Sequence, residues 1–241
     1  MTQMSDHTAK AFDADLQEIT RMVAEMGGLA EREIASAVDA LAKRDTELAD
    51  RVRRRDAEID ALQREIEEKS VLTIARRQPM AVDLRDVVGA LRVANDLERV
   101  GDLAKNIAKR VTALTGDFHP QKLIRGVEHM AALVLTQLKQ VLDAYADHNL
   151  DKALQVWRGD EEIDAMCTSV FRDLLTYMME DPRNITFCIH LMFCAKNIER
   201  MGDHATNIAE TVYYMIEGHP LADERPKSDT TTSFAIMASE D

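Results

Sequence analysis

The chain has 241 residues, a formal net charge of −13 at pH 7, 46% hydrophobic and 30% charged residues, and only 5% aromatics. So few aromatics, with nine glycines and five prolines, disfavour a sandwich or barrel, which needs many turns and β-formers. The acidic balance excludes nucleic acid, whose binding depends on cations that neutralise phosphates, and an electrostatic anchor on anionic lipid.

Helical periodicity dominates from early in the chain. Leu16, Ile19, Val23, Met26, Ala30, Ile34, Val38 and Leu41 recur at threes and fours and share one helical face. Asp45 is placed to cap the next helix, whose stripe runs Leu48, Val52, Ile59, Leu62 and Ile66. That helix is predicted to stop near Gln78–Pro79, because the residue before proline is pushed out of the α region. A third segment runs from about Ala81 to Leu114 and ends at Thr115–Gly116.

His119–Pro120 opens a second set, with helices predicted over about 121–147, 151–180 and 184–217. The break between the last two falls at Asp181–Pro182, and Gly218 and Pro220 form the final stop. Beyond Leu221 the chain is polar and aperiodic, and reads as a flexible tail. The predicted fold is all-α: two tandem three-helix bundles over residues 1–117 and 118–218, with a polar tail at 219–241. No stretch is apolar enough to span a bilayer, and the N-terminus lacks a signal peptide's apolar core. Cys167, Cys188 and Cys194 form no CxxC and read as buried, reduced thiols. A soluble, cytoplasmic protein is expected.

The two halves repeat. DLERVGDLAKNIAKRV from Asp96 aligns without gaps with NIERMGDHATNIAETV from Asn197, at a constant offset of 101 residues. RDAEID from Arg55 matches GDEEID from Gly159 at an offset of 104. Each half is therefore one three-helix unit of an internal duplication. Each carries two acidic pairs at i, i+4: Asp56 with Asp60 and Glu98 with Asp102, then Asp160 with Asp164 and Glu199 with Asp203. That spacing stacks two carboxylates on one helix face. Asn106 and Asn207 extend the stripes by a turn and offer carbonyl oxygens, and His204 is a further candidate ligand in the second half.

Helical carboxylates are ordinarily solvated or salt-bridged, and Asp102 has Arg99 and Lys105 within three positions. Placement argues for more. Glu98 continues the apolar stripe of Leu84, Val87, Leu91 and Ala94, and Glu199 continues that of Ile185, Cys188, Met192 and Ala195. Buried like charges at i, i+4 are costly unless a cation is shared. All-oxygen ligands suit Mg²⁺, Mn²⁺ or iron with bridging carboxylates. Gly101 and Gly202, each mid-helix, mark a close approach at the same register.

ERVGDLAKNIA and ERMGDHATNIA, with RQPMAVDLR before the first and a DxxxD motif in each half, make the chain resemble the PhoU family over about residues 10–217. The resemblance implies multinuclear iron, manganese, magnesium or zinc clusters. Their ligands would be Asp56, Asp60, Glu98 and Asp102 in the first half, and Asp160, Asp164, Glu199 and Asp203 in the second. It also implies a non-enzymatic, homodimeric negative regulator coupling the phosphate-specific ABC transporter to a phosphate-responsive sensor histidine kinase. Leu103 stands where the family's GDH motif has histidine, so the two sites are expected to differ. Two other readings stay open. One is a metal-independent helical scaffold whose acidic stripes meet basic partners. The other is a carboxylate-bridged di-metal enzyme, weakened because none of the seven histidines has a glutamate three positions before it.

Overall fold

The computed structural model describes residues 2–114 and 121–222. Six helices and one short 3₁₀ turn make up the elements among them: α1 (Thr2–Lys43), α2 (Thr46–Arg77), α3 (Val82–Val111), α4 (Gln121–Asp147), α5 (Leu150–Glu180) and α6 (Ile185–Glu217), with the 3₁₀ turn at Pro182–Asn184. The expected third-helix stop at Thr115–Gly116, the opening at His119–Pro120, the boundary at 117/118 and most of the 219–241 tail lie outside the described residues.

Local chemistry sets the ends. Asp45 is the N-cap of α2, its Oδ1 accepting the Leu48 amide at 2.8 Å. Gln78 closes the helix in a left-handed conformation (φ 51°), and Pro79 follows. Helix α5 starts one residue before Asp151, because Asn149 Oδ1 accepts the Lys152 amide at 3.0 Å. Gly218 (φ 80°) ends α6 at the expected position.

Each half is a three-helix bundle, α1–α2–α3 and α4–α5–α6. The halves meet along α3 against α6 and α1 against α4, so α2 and α5 lie on the outside. A single apolar core runs through both, from Ile19, Met26 and Ile34 on α1 to Ile198, Ile208 and Met215 on α6. Burying each such side chain contributes about 1.5–3 kcal/mol. Between the halves, Gly27 faces Leu142 and Gly89 faces Met215, at distances where a β-carbon would clash.

The two in-register glycines do what their spacing predicts. A β-carbon on Gly101 would lie 2.9 Å from Ile59 Cδ1, and one on Gly202 would lie 2.9 Å from Ile163 Cδ1. Ile59 and Ile163 each lie directly before the second aspartate of a duplicated acidic motif and are fully buried. Each glycine therefore draws the acidic helix of its half against the third helix. Gly101→Ala and Gly202→Ala should each lower unfolding free energy by about 1 kcal/mol, because overpacking outweighs the helix-propensity gain. Gly28, with only Arg32 Nη1 at 3.6 Å, should instead gain about 0.5–1 kcal/mol as alanine. Urea unfolding followed by circular dichroism measures all three.

Candidate metal centres

In the first half, α2 and α3 bring four carboxylates into one electrostatic neighbourhood. Burial raises Glu98 above the ordinary carboxylate range, Arg99 opposes the rise, and Asp102, Asp60 and Asp56 add to it. Asp56 is buried, Glu98 is nearly so, and Asp60 and Asp102 are half-buried. A lysine stands among them: Lys105, on α3, pairs with Asp56 and lies 3.7 Å from Asp102 Oδ1. The sequence leaves Glu98 without a base at three or four positions, yet the adjacent Arg99 Nε reaches within 3.1 Å of Glu98 Oε2. The alignment of that contact is poor, and Oε2 remains a buried acceptor without a hydrogen bond.

The second half repeats the frame with different neutralisation. Asp160, Asp164 and Glu199 are buried and Asp203 is half-buried. Burial raises Glu199, the Lys196 hydrogen bond opposes the rise, and Asp203 and Asp164 reinforce it. Lys196 Nζ donates to Glu199 Oε1 at 2.8 Å, while Oε2 is again buried without a hydrogen bond. Thr206, in the register position of Lys105, places its hydroxyl 3.2 Å from Asp160 Oδ1. A hydroxyl thus faces an aspartate in one half where an ammonium does in the other. The two acidic clusters differ at this position, as the halves already differ at Leu103 and His204.

The additional candidate ligands are otherwise engaged. His204 Nδ1 lies 2.8 Å from Asp96 Oδ1, and Asn207 Nδ2 donates to the same oxygen at 3.3 Å. Both contacts cross from α6 to α3 and tie the halves together. Asn106 Oδ1 accepts from Lys109 at 3.1 Å. Among the described residues no three histidine, cysteine or acidic side chains form an arrangement that could hold a metal ion as they stand. The donor chemistry still suits a hard cation. In both halves the same glutamate presents a buried oxygen with no hydrogen bond, an unmet need that a cation would satisfy.

One acidic residue escaped the sequence reading. Glu33, on α1, is 2% exposed, faces Asp56 and Glu58, and has a buried Oε2 without a hydrogen bond. Arg55 is 4.0 Å from its other oxygen. Its partner in the duplication, at the same 104-residue offset as the acidic motifs, is Gln137, whose amide donates to the Gly159 carbonyl at 2.8 Å. That offset was the available signal.

The arrangement defines a class: a duplicated six-helix bundle with an acidic cluster between the second and third helix of each half. The chain belongs to the PhoU family, whose domain model matches twice, over residues 23–111 and 127–212. It is 58% identical over 231 residues to the phosphate-specific transport system accessory protein PhoU homolog of Rhizobium meliloti, covering 96% of this chain and 98% of that one. The Caulobacter vibrioides protein of the same description is 50% identical, with 94% and 98% covered. The crystal structure of PhoU from Pseudomonas aeruginosa superposes with a TM-score of 0.80 at 37% identity, covering 86% of this chain and all of that one. The phosphate transport system regulatory protein PhoU from Streptococcus pneumoniae gives 0.81 at 28% identity, with 88% and 100% covered. These relatives are described as accessory or regulatory proteins, not as enzymes.

Burial pushes Glu33 up to about 7, with Glu58 and Asp56 adding to the rise against Arg55. A carboxyl whose folded pKa exceeds its unfolded value favours folding while protonated, and that contribution is lost as pH rises toward 7. In metal-free protein, Glu33→Gln should therefore be the more stable form at pH 8, by about 1–3 kcal/mol. The advantage should vanish at pH 4.5. Urea midpoints at the two pH values check this.

Proposed function

We propose that this protein is an accessory regulator of phosphate uptake that restrains transport and phosphate-starvation signalling when phosphate is plentiful. It acts in the cytoplasm on the ATPase side of a phosphate-specific ABC transporter and on a phosphate-responsive sensor histidine kinase, and it works as a homodimer. Support comes from relatives described as phosphate-specific transport system accessory proteins, matched over nearly their whole length. No described helix is long and apolar enough to cross a membrane, in keeping with a role exercised through partners. The tips of both hairpins expose apolar side chains, Met80, Val82 and Leu84 on one and Met179, Ile185 and Ile189 on the other, with Leu84 and Ile185 in equivalent positions. Paired apolar tips of this kind suit protein contacts.

The acidic clusters bind metal. The single observation that carries this is the in-register pair of buried glutamate oxygens without hydrogen bonds, Oε2 of Glu98 and of Glu199. Asp56, Asp60, Glu98 and Asp102 would hold the ion or ions of the first half, and Asp160, Asp164, Glu199 and Asp203 those of the second. Iron, manganese, magnesium and zinc all accept carboxylate oxygen. A bound cation supplies charge neutralisation across two helices. The chain's own part is to present the carboxylates together and to move Lys105 and Lys196 aside. A metal-independent scaffold is the second reading, favoured by those two lysines, which already neutralise Asp56 and Glu199.

Elemental analysis of protein purified without chelator separates the two. The paired change Glu98→Gln and Glu199→Gln should remove at least most of the bound metal while leaving helicity unchanged. Full retention of metal would sink the ligand assignment, and sub-stoichiometric metal that washes out with no change in melting temperature would favour the scaffold. For the regulatory role, deletion of the gene should derepress phosphate-starvation genes in phosphate-rich medium. Transcript levels that stay at the repressed value would count against it.

A further inference from the structure

A second polar site lies where the C-terminal end of α3 meets α6. Asn106, Lys109, Arg110, Ala113, His190 and Asn197 line an open pocket of about 390 Å³. That volume is at the small end of ligand sites. On a chain of net charge −13, none of these lining side chains is a carboxylate.

The arginine is held in place and incompletely satisfied. Its guanidinium carbon sits 4.1 Å from the centre of the Phe193 ring, and Nη1 is 3.4 Å from His190 Nδ1. Its Nε is buried without a hydrogen bond, an unmet donor that costs about 1–3 kcal/mol. Burial, followed by the charge of Arg110, holds His190 below the usual histidine range. The ring is therefore neutral near pH 7 and adds no repulsion to the two cations. Lys109 donates to Asn106 Oδ1, which leaves the Asn106 amide hydrogens as donors. Two positive charges, a neutral imidazole and two carboxamides form a donor-rich recess, and a guanidinium fork matches phosphoryl oxygens.

The duplication supplies an internal control. The corresponding positions on the other side of the pseudo-symmetric pair are Asn207, Glu210, Thr211, Tyr214, Gly89 and Asp96. There the cations are gone and two acids take their place. Its groups are also engaged: Met215 packs on Gly89, and Trp157 Nε1 donates to Glu210 Oε1 at 3.1 Å. Packing that the fold requires would recur on both sides, whereas this cationic recess occurs on one.

We propose that the recess formed by Lys109, Arg110, His190, Asn106 and Asn197 binds a phosphate dianion, either free or as the terminal group of a small phosphomonoester. The inference stands on charge and shape and does not depend on the regulatory reading, so either can fail without the other.

Calorimetric titration of the full-length protein with inorganic phosphate, at constant ionic strength in chloride, tests it. Saturable binding is expected, weakened at least tenfold by Arg110→Gln and by Lys109→Gln and unchanged by Arg54→Gln, an exposed arginine on α2. Lys109 is itself exposed, so its replacement keeps the test sound if loss of the Arg110–Phe193 contact disturbs folding. A parallel titration with glycerol phosphate distinguishes the sources: tighter binding of the ester assigns the recess to phosphomonoesters, and the reverse assigns it to the free ion. Heats equal to dilution for both ligands, or affinity unaltered in both variants, would overturn the proposal.

Discussion

The structure depends on a close helix contact made twice. Gly101 against Ile59 and Gly202 against Ile163 bring the acidic helix of each half to a distance at which a β-carbon would crowd the isoleucine Cδ1 at 2.9 Å. Each isoleucine lies between the two aspartates of its motif, so seating it also carries Asp56 or Asp160 into the interior. The same contact that closes the bundle thus buries carboxylates, and burial makes their charge expensive. Everything electrostatic about the sites follows from that cost.

The two halves meet the cost differently. In the first, Lys105 supplies a full charge to Asp56, and Arg99 reaches Glu98 from the adjacent position. In the second, a threonine hydroxyl serves Asp160 and Lys196 serves Glu199. Glu33, against Gln137 in the second half, adds a further buried acid to the first only. The duplication has preserved the backbone frame while the neutralising groups have diverged. Charge balance can be met by any donor that reaches, whereas the helix contact is crowded by any side chain larger than glycine's.

Divergence also separates the two faces where α3 and α6 meet. Asp96 gathers His204 and Asn207 on one side and ties the halves through charge-assisted hydrogen bonds. On the other side Asn197 replaces the aspartate, Leu103 replaces the histidine, and Lys109 and Arg110 replace Glu210 and Thr211. One face is thereby an acidic joint between the halves and the other an open, cationic recess. A perfectly repeated sequence could not have produced both.

Six helices, their caps at Asp45 and Gly218, the duplication and a close approach at Gly101 and Gly202 were all legible in the sequence. Each rests on local physics: a 3.6-residue period, a side chain bonding an amide three residues on, or a backbone position open only to glycine. The stripe through Leu84 and Ile185 was a less faithful guide, because those residues are exposed at the hairpin tips while Glu98 and Glu199 lie buried at the other end. Tertiary structure alone decided which groups meet the carboxylates. Lys105 is 49 residues from Asp56, His204 is 108 from Asp96, and Arg110 is 80 from His190. Spacing along one helix cannot show such contacts, since they are set by how neighbouring helices rotate and slide as the apolar faces pack.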